Sequence, residues 1–467
     1  MPDLHTLSAT EVLGAFRDRT LSPVEFLESL ITRYEHMQPL VNAFGDTHFD
    51  EARRLARAAE ARYGSGEARA LEGLPVAVKD EADVGGQRTT NGSHILDGYV
   101  AEASEPMVAR LQGAGAVVFA RSLTPEFSIA FWTASPVWGV TRNPWNRAYD
   151  VGGSSGGSAA ALAAGMAPLA TGSDIGGSIR VPASCCGVVG YKPAFGRVPQ
   201  PPPYGLDTWC HLGPLARTVA DAALMADVVG GPHPGDPATL RPALRIGKPV
   251  PDVRSRRIAV SPELGDWPVI ESVRAALADV AAALAGEGAE VSEVDLVIER
   301  ELLRTASDAH YAAFFATGVR NTIKGREHDT ATYTRAWLAS LEEAPSPYDG
   351  LVAEGEIGLR VNAVFENYDV LLCPAMAIPA LQAGVDYTEY PVVIDGKQYD
   401  ALHDICLTEV FNPMGRCPVI TVPAGRDEHG VPIGVQVVGR TYDDVTAFAV
   451  AAAVEVTQPW PLVAEPR

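Results

Sequence analysis

Apolar positions recur along the chain in two periods, and the switches between them predict helices alternating with short strands. After Ser22, the residues Val24, Leu27, Leu30, Ile31 and Tyr34 fall at helical spacing and give one apolar face. Two capping boxes, Ser8-x-x-Glu11 and Ser22-Pro23-Val24-Glu25, mark helix starts, the second with Pro where a missing N–H costs nothing. Short apolar runs at 74–78 and 116–120 predict strands buried on both faces. Arg257-Ile258-Ala259-Val260, an amphipathic segment over 269–286 and Ala289-Glu290-Val291 read as a β-α-β unit, hence an α/β fold with a parallel or mixed sheet. Strands at 369–373, 419–422 and 434–438 and a closing helix after Asp443-Asp444 complete the pattern.

Two stretches depart from it. The Ala-rich run 158–171 contains Gly165 and Pro168 and is too short to span a bilayer, so it reads as a buried helix leading into a strand. Residues 297–405 are the least periodic and most polar, and are expected to cap the site and set substrate choice. With no internal repeat and no dividing linker, residues 1–467 are expected to form a single domain.

Composition narrows the partners. The chain has 467 residues, 47% hydrophobic and 20% charged, enough for a large core. Its net charge is −21, only five of 37 basic residues are Lys, and no basic run occurs, which argues against nucleic acid. The six Cys lack CxxC spacing, and the adjacent Cys185-Cys186 cannot readily ligate one ion, so reduced thiols and no metal or cofactor are expected. No signal-peptide pattern opens the chain and no 18-residue apolar run occurs, so a cytoplasmic protein with no membrane partner is expected.

Between Gly152 and Arg180 the chain reads GGSSGGSAAALAAGMAPLATGSDIGGSIR, its densest concentration of Gly and Ser. Neither G-x-x-x-x-G-K-[ST] nor G-x-G-x-x-G occurs there, which disfavours a phosphate loop. Gly153-Ser154-Ser155-Gly156-Gly157 satisfies G-x-S-x-G, but the preceding residues 143–150 read as turn, where a nucleophile elbow needs a strand. Apolar segments interrupt the motif, so a flexible linker does not fit either. Gly176-Gly177-Ser178 puts two Cβ-free residues before a Ser, which lets successive N–H groups converge beside its hydroxyl as an oxyanion hole would. The loop at Gly152–Gly157 can supply a second hydroxyl to pass on a proton. No His lies near these loops, whereas Lys79 ends an apolar strand, where burial lowers a lysine pKa from about 10.4 and yields a base. The adjacent Asp80 and Glu81 leave open a salt-bridged surface lysine instead.

These residues resemble the amidase signature family. Its words GGSSGGS, G-[TS]-D-I-G-G-S-I-R-x-P and C-G-x-x-G-x-K-P stand at 152–158, 172–182 and 186–193, and the likeness continues in Leu74–Asp80, Thr89–Ser93, Asn143-Pro144-Trp145, Asn412-Pro413-x-Gly415 and Gly434-Val435-Gln436. The resemblance implies a large mixed, twisted sheet with helices on both faces. It implies Ser178 as nucleophile, Ser154 after a cis peptide bond as proton relay, Lys79 as base, and the N–H groups of Ile175, Gly176, Gly177 and Ser178 as the oxyanion hole. Asp174 and Arg180 become its clamp, Ser155 and Ser158 members of its hydrogen-bond network, Ser128 a candidate substrate contact, and Trp132 and Trp209 candidate substrate contacts or else plain core. The implied activity is hydrolysis of small linear carboxamides, with aryl amides, esters or carbamates as further substrates; a homodimer is left open. Departures bear on substrate: Glu81 stands where relatives carry an apolar or amide residue, and Cys185-Cys186 doubles one Cys. The alternative, an A-type amidotransferase subunit that supplies ammonia to a partner, usually reads like Ser-Leu-Asp-Gln where this chain has Thr208-Trp209-Cys210-His211. A non-catalytic binding protein would not need all three reactive side chains.

Overall fold

The computed structural model describes residues 3–465. Eleven strands form one mixed sheet, which runs edge to edge through Phe44–Thr47, Val117–Ser122, Pro75–Lys79, Leu169–Asp174, His211–Ala216, Val189–Lys192, Val419–Arg426, Pro432–Gly439, Val370–Pro374, Arg257–Val260 and Glu290–Glu293. Pro75–Lys79 lies parallel to both of its neighbours, while Leu169–Asp174 runs antiparallel to His211–Ala216. The predicted β-α-β unit is present, with Arg257–Val260 and Glu290–Glu293 parallel and joined through the helix Glu271–Gly286.

Local chemistry explains the helix starts. The Ser8 hydroxyl accepts from the Glu11 N–H while the Glu11 carboxylate accepts from the Ser8 N–H, and Ser22 with Glu25 repeats the arrangement. The Ala-rich run becomes the helix Gly156–Ala163, buried at every position, and turns into the strand Leu169–Asp174. Large apolar clusters surround the sheet, and its strands Pro75–Lys79, Val189–Lys192 and Pro432–Gly439 are buried at every position.

The weak periodicity over 297–405 conceals four helices, Arg300–Ala313, Phe315–Ile323, Thr332–Ser340 and Pro347–Phe365. Their buried sides use small and polar residues; the first buries Leu303, Ala306, Ser307, Ala309, His310 and Tyr311. That spacing is helical, but Ala, Ser and His do not register as an apolar stripe. Tyr311, Val319, Ile323, Trp337 and Leu341 then pack as a cluster on Phe127 and Ile129, which brings this segment over one end of the sheet. Among the described residues, no helix is long and apolar enough to cross a membrane.

Candidate active site

Parallel pairing puts the carboxyl ends of Pro75–Lys79 and Leu169–Asp174 side by side, so the loops that follow share one rim of the sheet. The Lys79 N–H donates to Thr171 Oγ1 at 2.9 Å, which fixes the last residue of one strand against its neighbour. Its side chain is 1% exposed. Nζ donates to Ser154 Oγ at 2.7 Å and to Ser173 Oγ at 2.8 Å, and faces Glu81 Oε2 at 3.1 Å. Burial drives the Lys79 pKa down and the Glu81 carboxylate pulls it up; burial wins. Asp80 turns away, as alternation along a strand requires, and accepts from Thr90 and Trp138.

Ser154 follows a cis Gly153–Ser154 peptide bond, and the Ser155 N–H donates to the Ser178 carbonyl at 3.1 Å, tying the two Gly-Ser loops together. Glycine is required in both: a Cβ at Gly153 would sit 2.8 Å from the Trp132 backbone nitrogen, and one at Gly177, whose φ is 130°, would strike the Thr408 side chain. Ser158 Oγ lies 2.6 Å from Ser122 Oγ and donates to the Thr171 carbonyl at 2.8 Å.

Asp174 organises the second loop. Its carboxylate accepts from the N–H of Gly177 (2.9 Å) and Ile179 (3.2 Å), and takes both Nε (2.9 Å) and Nη2 (2.7 Å) of Arg180. Burial opposes its ionisation, but the Arg180 guanidinium overrides this and holds the carboxyl well below the usual carboxylate range. One expected oxyanion donor already has a partner: the Gly177 N–H donates to Asp174. Asp174→Ala would leave the Arg180 charge buried and half-paired, at a cost of about 3–5 kcal/mol. The expected result is a clear fall in the denaturant midpoint; an unchanged midpoint would show the pair to be dispensable.

Ser178 is 4% exposed and opens onto a cavity of about 20 Å³, enough for one water. Ser128, Phe131, Ile175, Gly176, Tyr311, Phe315, Trp337, Leu402 and His403 are among its walls. Ser128 is therefore brought to the site, on a turn where it and Phe127 both take left-handed backbone angles (φ 60° and 51°). Trp132 and Trp209 are not. Trp132 packs on Tyr333 and Tyr387, and Trp209 is fully buried and stacked on His310 with ring centroids 4.4 Å apart. Sequence reading missed Ser173 and the aromatic wall of Tyr311, Phe315 and Trp337. Ser173 was visible one residue before Asp174; the wall lies more than a hundred residues downstream and carries no motif. Among the described residues no cluster of three or more His, Cys, Asp or Glu could hold a metal ion.

The architecture, a large mixed sheet with a buried lysine and two Gly-Ser loops at its strand ends, is that of a known class of enzymes. A bacterial aryl acylamidase of the amidase signature enzymes superposes with a TM-score of 0.91, at 30% identity over 98% of this chain and 97% of that one. The chain belongs to the amidase family, whose model matches residues 25–448. It is 32% identical to an acylamidase of Rhodococcus erythropolis and 33% identical to the A-type subunit of a glutamyl-tRNA(Gln) amidotransferase from Roseiflexus castenholzii, in each case over 98% of this chain and 97% of the other.

Proposed function

We propose that this chain hydrolyses carboxamide C–N bonds through an acyl-enzyme on Ser178. The observation that carries the reading is the 2.7 Å contact from buried Lys79 Nζ to Ser154 Oγ, on a loop hydrogen-bonded to Ser178 through the next residue. In its neutral form Lys79 takes the Ser154 proton as Ser154 takes that of Ser178. Ser178 Oγ bonds the carbonyl carbon, and the C=O π pair moves onto oxygen, where the N–H groups of Ile175, Gly176 and Ser178 receive it. Collapse expels the amine, which leaves with the proton returned from Lys79 through Ser154. Water then hydrolyses the acyl ester by the same relay, and no step calls for a metal or cofactor.

The acyl group occupies the aromatic-walled cavity, which must widen to admit it. Residues 297–405 act as the cap that sets the acyl preference within one folded unit, since Tyr311, Phe315 and Trp337 come from this segment. Similarity to the A-type amidotransferase subunit supports the second reading, glutaminase action that supplies ammonia to a partner. Against it stands the stretch Thr208-Trp209-Cys210-His211, whose Trp209 is fully buried against His310 and does not line the cavity at Ser178.

A serine-directed fluorophosphonate tests the nucleophile. Mass spectrometry is expected to find the adduct on Ser178 alone; an adduct on Ser155 would favour the elbow arrangement. A panel of aliphatic amide, anilide, ester, carbamate and glutamine is expected to show turnover of the small amides or anilides and none of glutamine. Glutamine as the preferred substrate would reverse the two readings.

A further inference from the structure

One charged group beside the base takes no part in the proton relay. Glu81 follows Asp80 at the end of the lysine strand, and its side chain folds back so that Oε2 lies 3.1 Å from Lys79 Nζ while also accepting the Ser128 hydroxyl at 2.5 Å. One carboxylate oxygen is thus shared between Lys79 and Ser128, with 18% of the side chain exposed. Lys79 Nζ has three polar neighbours, Ser154, Ser173 and Glu81, one for each proton of an ammonium.

We propose that Glu81 is a positioning residue for this reaction, holding Nζ against Ser154 and stabilising the ammonium that forms as the proton leaves Ser178. The proposal rests on Lys79 acting as the base. As the Ser178 oxygen bonds carbon, one proton moves to Ser154 and another from Ser154 to Nζ, so positive charge appears 3.1 Å from a fixed carboxylate. Coulomb attraction between unit charges at that distance in a partly excluded site is worth far more than in water. The same attraction also favours the ammonium before reaction, which raises the pH at which the base becomes available. Glu81 therefore trades availability of the base at low pH for a stronger base once it is free.

Other charges around the pair are accounted for. Asp174 and, when ionised, Cys210 also favour the Lys79 cation, more weakly than Glu81. Glu105, Tyr204 and Cys210 feel the Glu81 charge, and Asp80 points to the other face of the strand. Burial of Glu81 opposes its charge, and Lys79 and Ser128 restore it, so the carboxylate stays ionised.

Glu81→Gln keeps the size and an acceptor for Ser128 but removes the charge. The pH dependence of the fluorophosphonate labelling rate, in which fluoride leaves phosphorus as Ser178 Oγ bonds to it, reads the base without needing the substrate. The midpoint is expected to fall by about one unit or more, and the plateau by about three- to tenfold, as a weakened base loses driving force. Loss of packing alone would lower the plateau without moving the midpoint. An unchanged or raised midpoint overturns the proposal. The five lysines of the chain also allow NMR of 13Cε-lysine to follow Lys79 directly, and its titration should move the same way. If the Gln variant does not fold, Glu81→Met, of similar length and uncharged, carries the same expectation. Labelling that persists in Lys79→Ala would sink the mechanism itself; an inert Lys79→Ala beside an unmoved midpoint in Glu81→Gln would sink only the role of Glu81.

Discussion

Ser178→Ala is expected to remove amide turnover, by roughly 10⁴-fold or more, while the protein unfolds at the same temperature as the wild type. Two observations support the pairing of these outcomes. The Ser178 hydroxyl makes no hydrogen bond to another described residue, so no structural bond is lost with it. Its backbone carbonyl, which does hold the Ser155 N–H, is untouched by the change. Initial rates on the best substrate of the panel, together with a thermal melt, would check both. Retention of a tenth of the wild-type rate would place the nucleophile elsewhere.

The second large effect is expected at Lys79, where Lys79→Ala should cost on the order of a thousandfold or more, since base catalysis and activation of the nucleophile go together. In the wild type, kcat/KM should rise with pH as Nζ loses its proton and then level off. Burial disfavours the ammonium and outweighs Glu81, so the midpoint should lie below the roughly 10.4 of a free lysine. Lys79→Arg should be as inactive as Lys79→Ala, because a guanidinium stays protonated and cannot accept a proton. Substantial activity in the Arg variant with the wild-type pH profile would make Lys79 a structural cation and require another base.

Legibility in the sequence followed the range of the interactions. Strands such as Val419–Arg426 and helices opened by Ser8 and Ser22 announce themselves within a few residues, and so do Gly176 and Gly177 before Ser178. The convergence of Lys79 on Ser154 spans 75 positions, and the sequence carries it only through the family resemblance. Trp132 and Trp209 could be read as core or as pocket wall, because an aromatic near a motif reads alike whether it faces a cavity or a packed helix, and the structure places both in the core. Tyr311 and Trp337 were hidden for a related reason: their helices bury Ala, Ser, Thr and His, and the pattern of large apolar residues fades. The reach of Glu81 back to its strand neighbour two positions away depends on a turn at 80–82 that no spacing rule specifies.

The aromatic wall of the cavity formed by Tyr311, Phe315 and Trp337 and the groups proposed to react come from different parts of the chain. Lys79, Ser154 and Ser178 sit on strand ends and loops so tightly packed that Gly153 and Gly177 cannot accept even a methyl group. Tyr311, Phe315 and Trp337 belong to helices that pack on Phe127 and Ile129 and contribute none of those groups. Natural variation and laboratory libraries should therefore meet two regimes in one protein. On the proposed mechanism, changes at 152–180 are expected to be purged almost irrespective of the substrate at hand, and changes in helices 300–340 to alter the acyl preference while leaving the reacting groups in place.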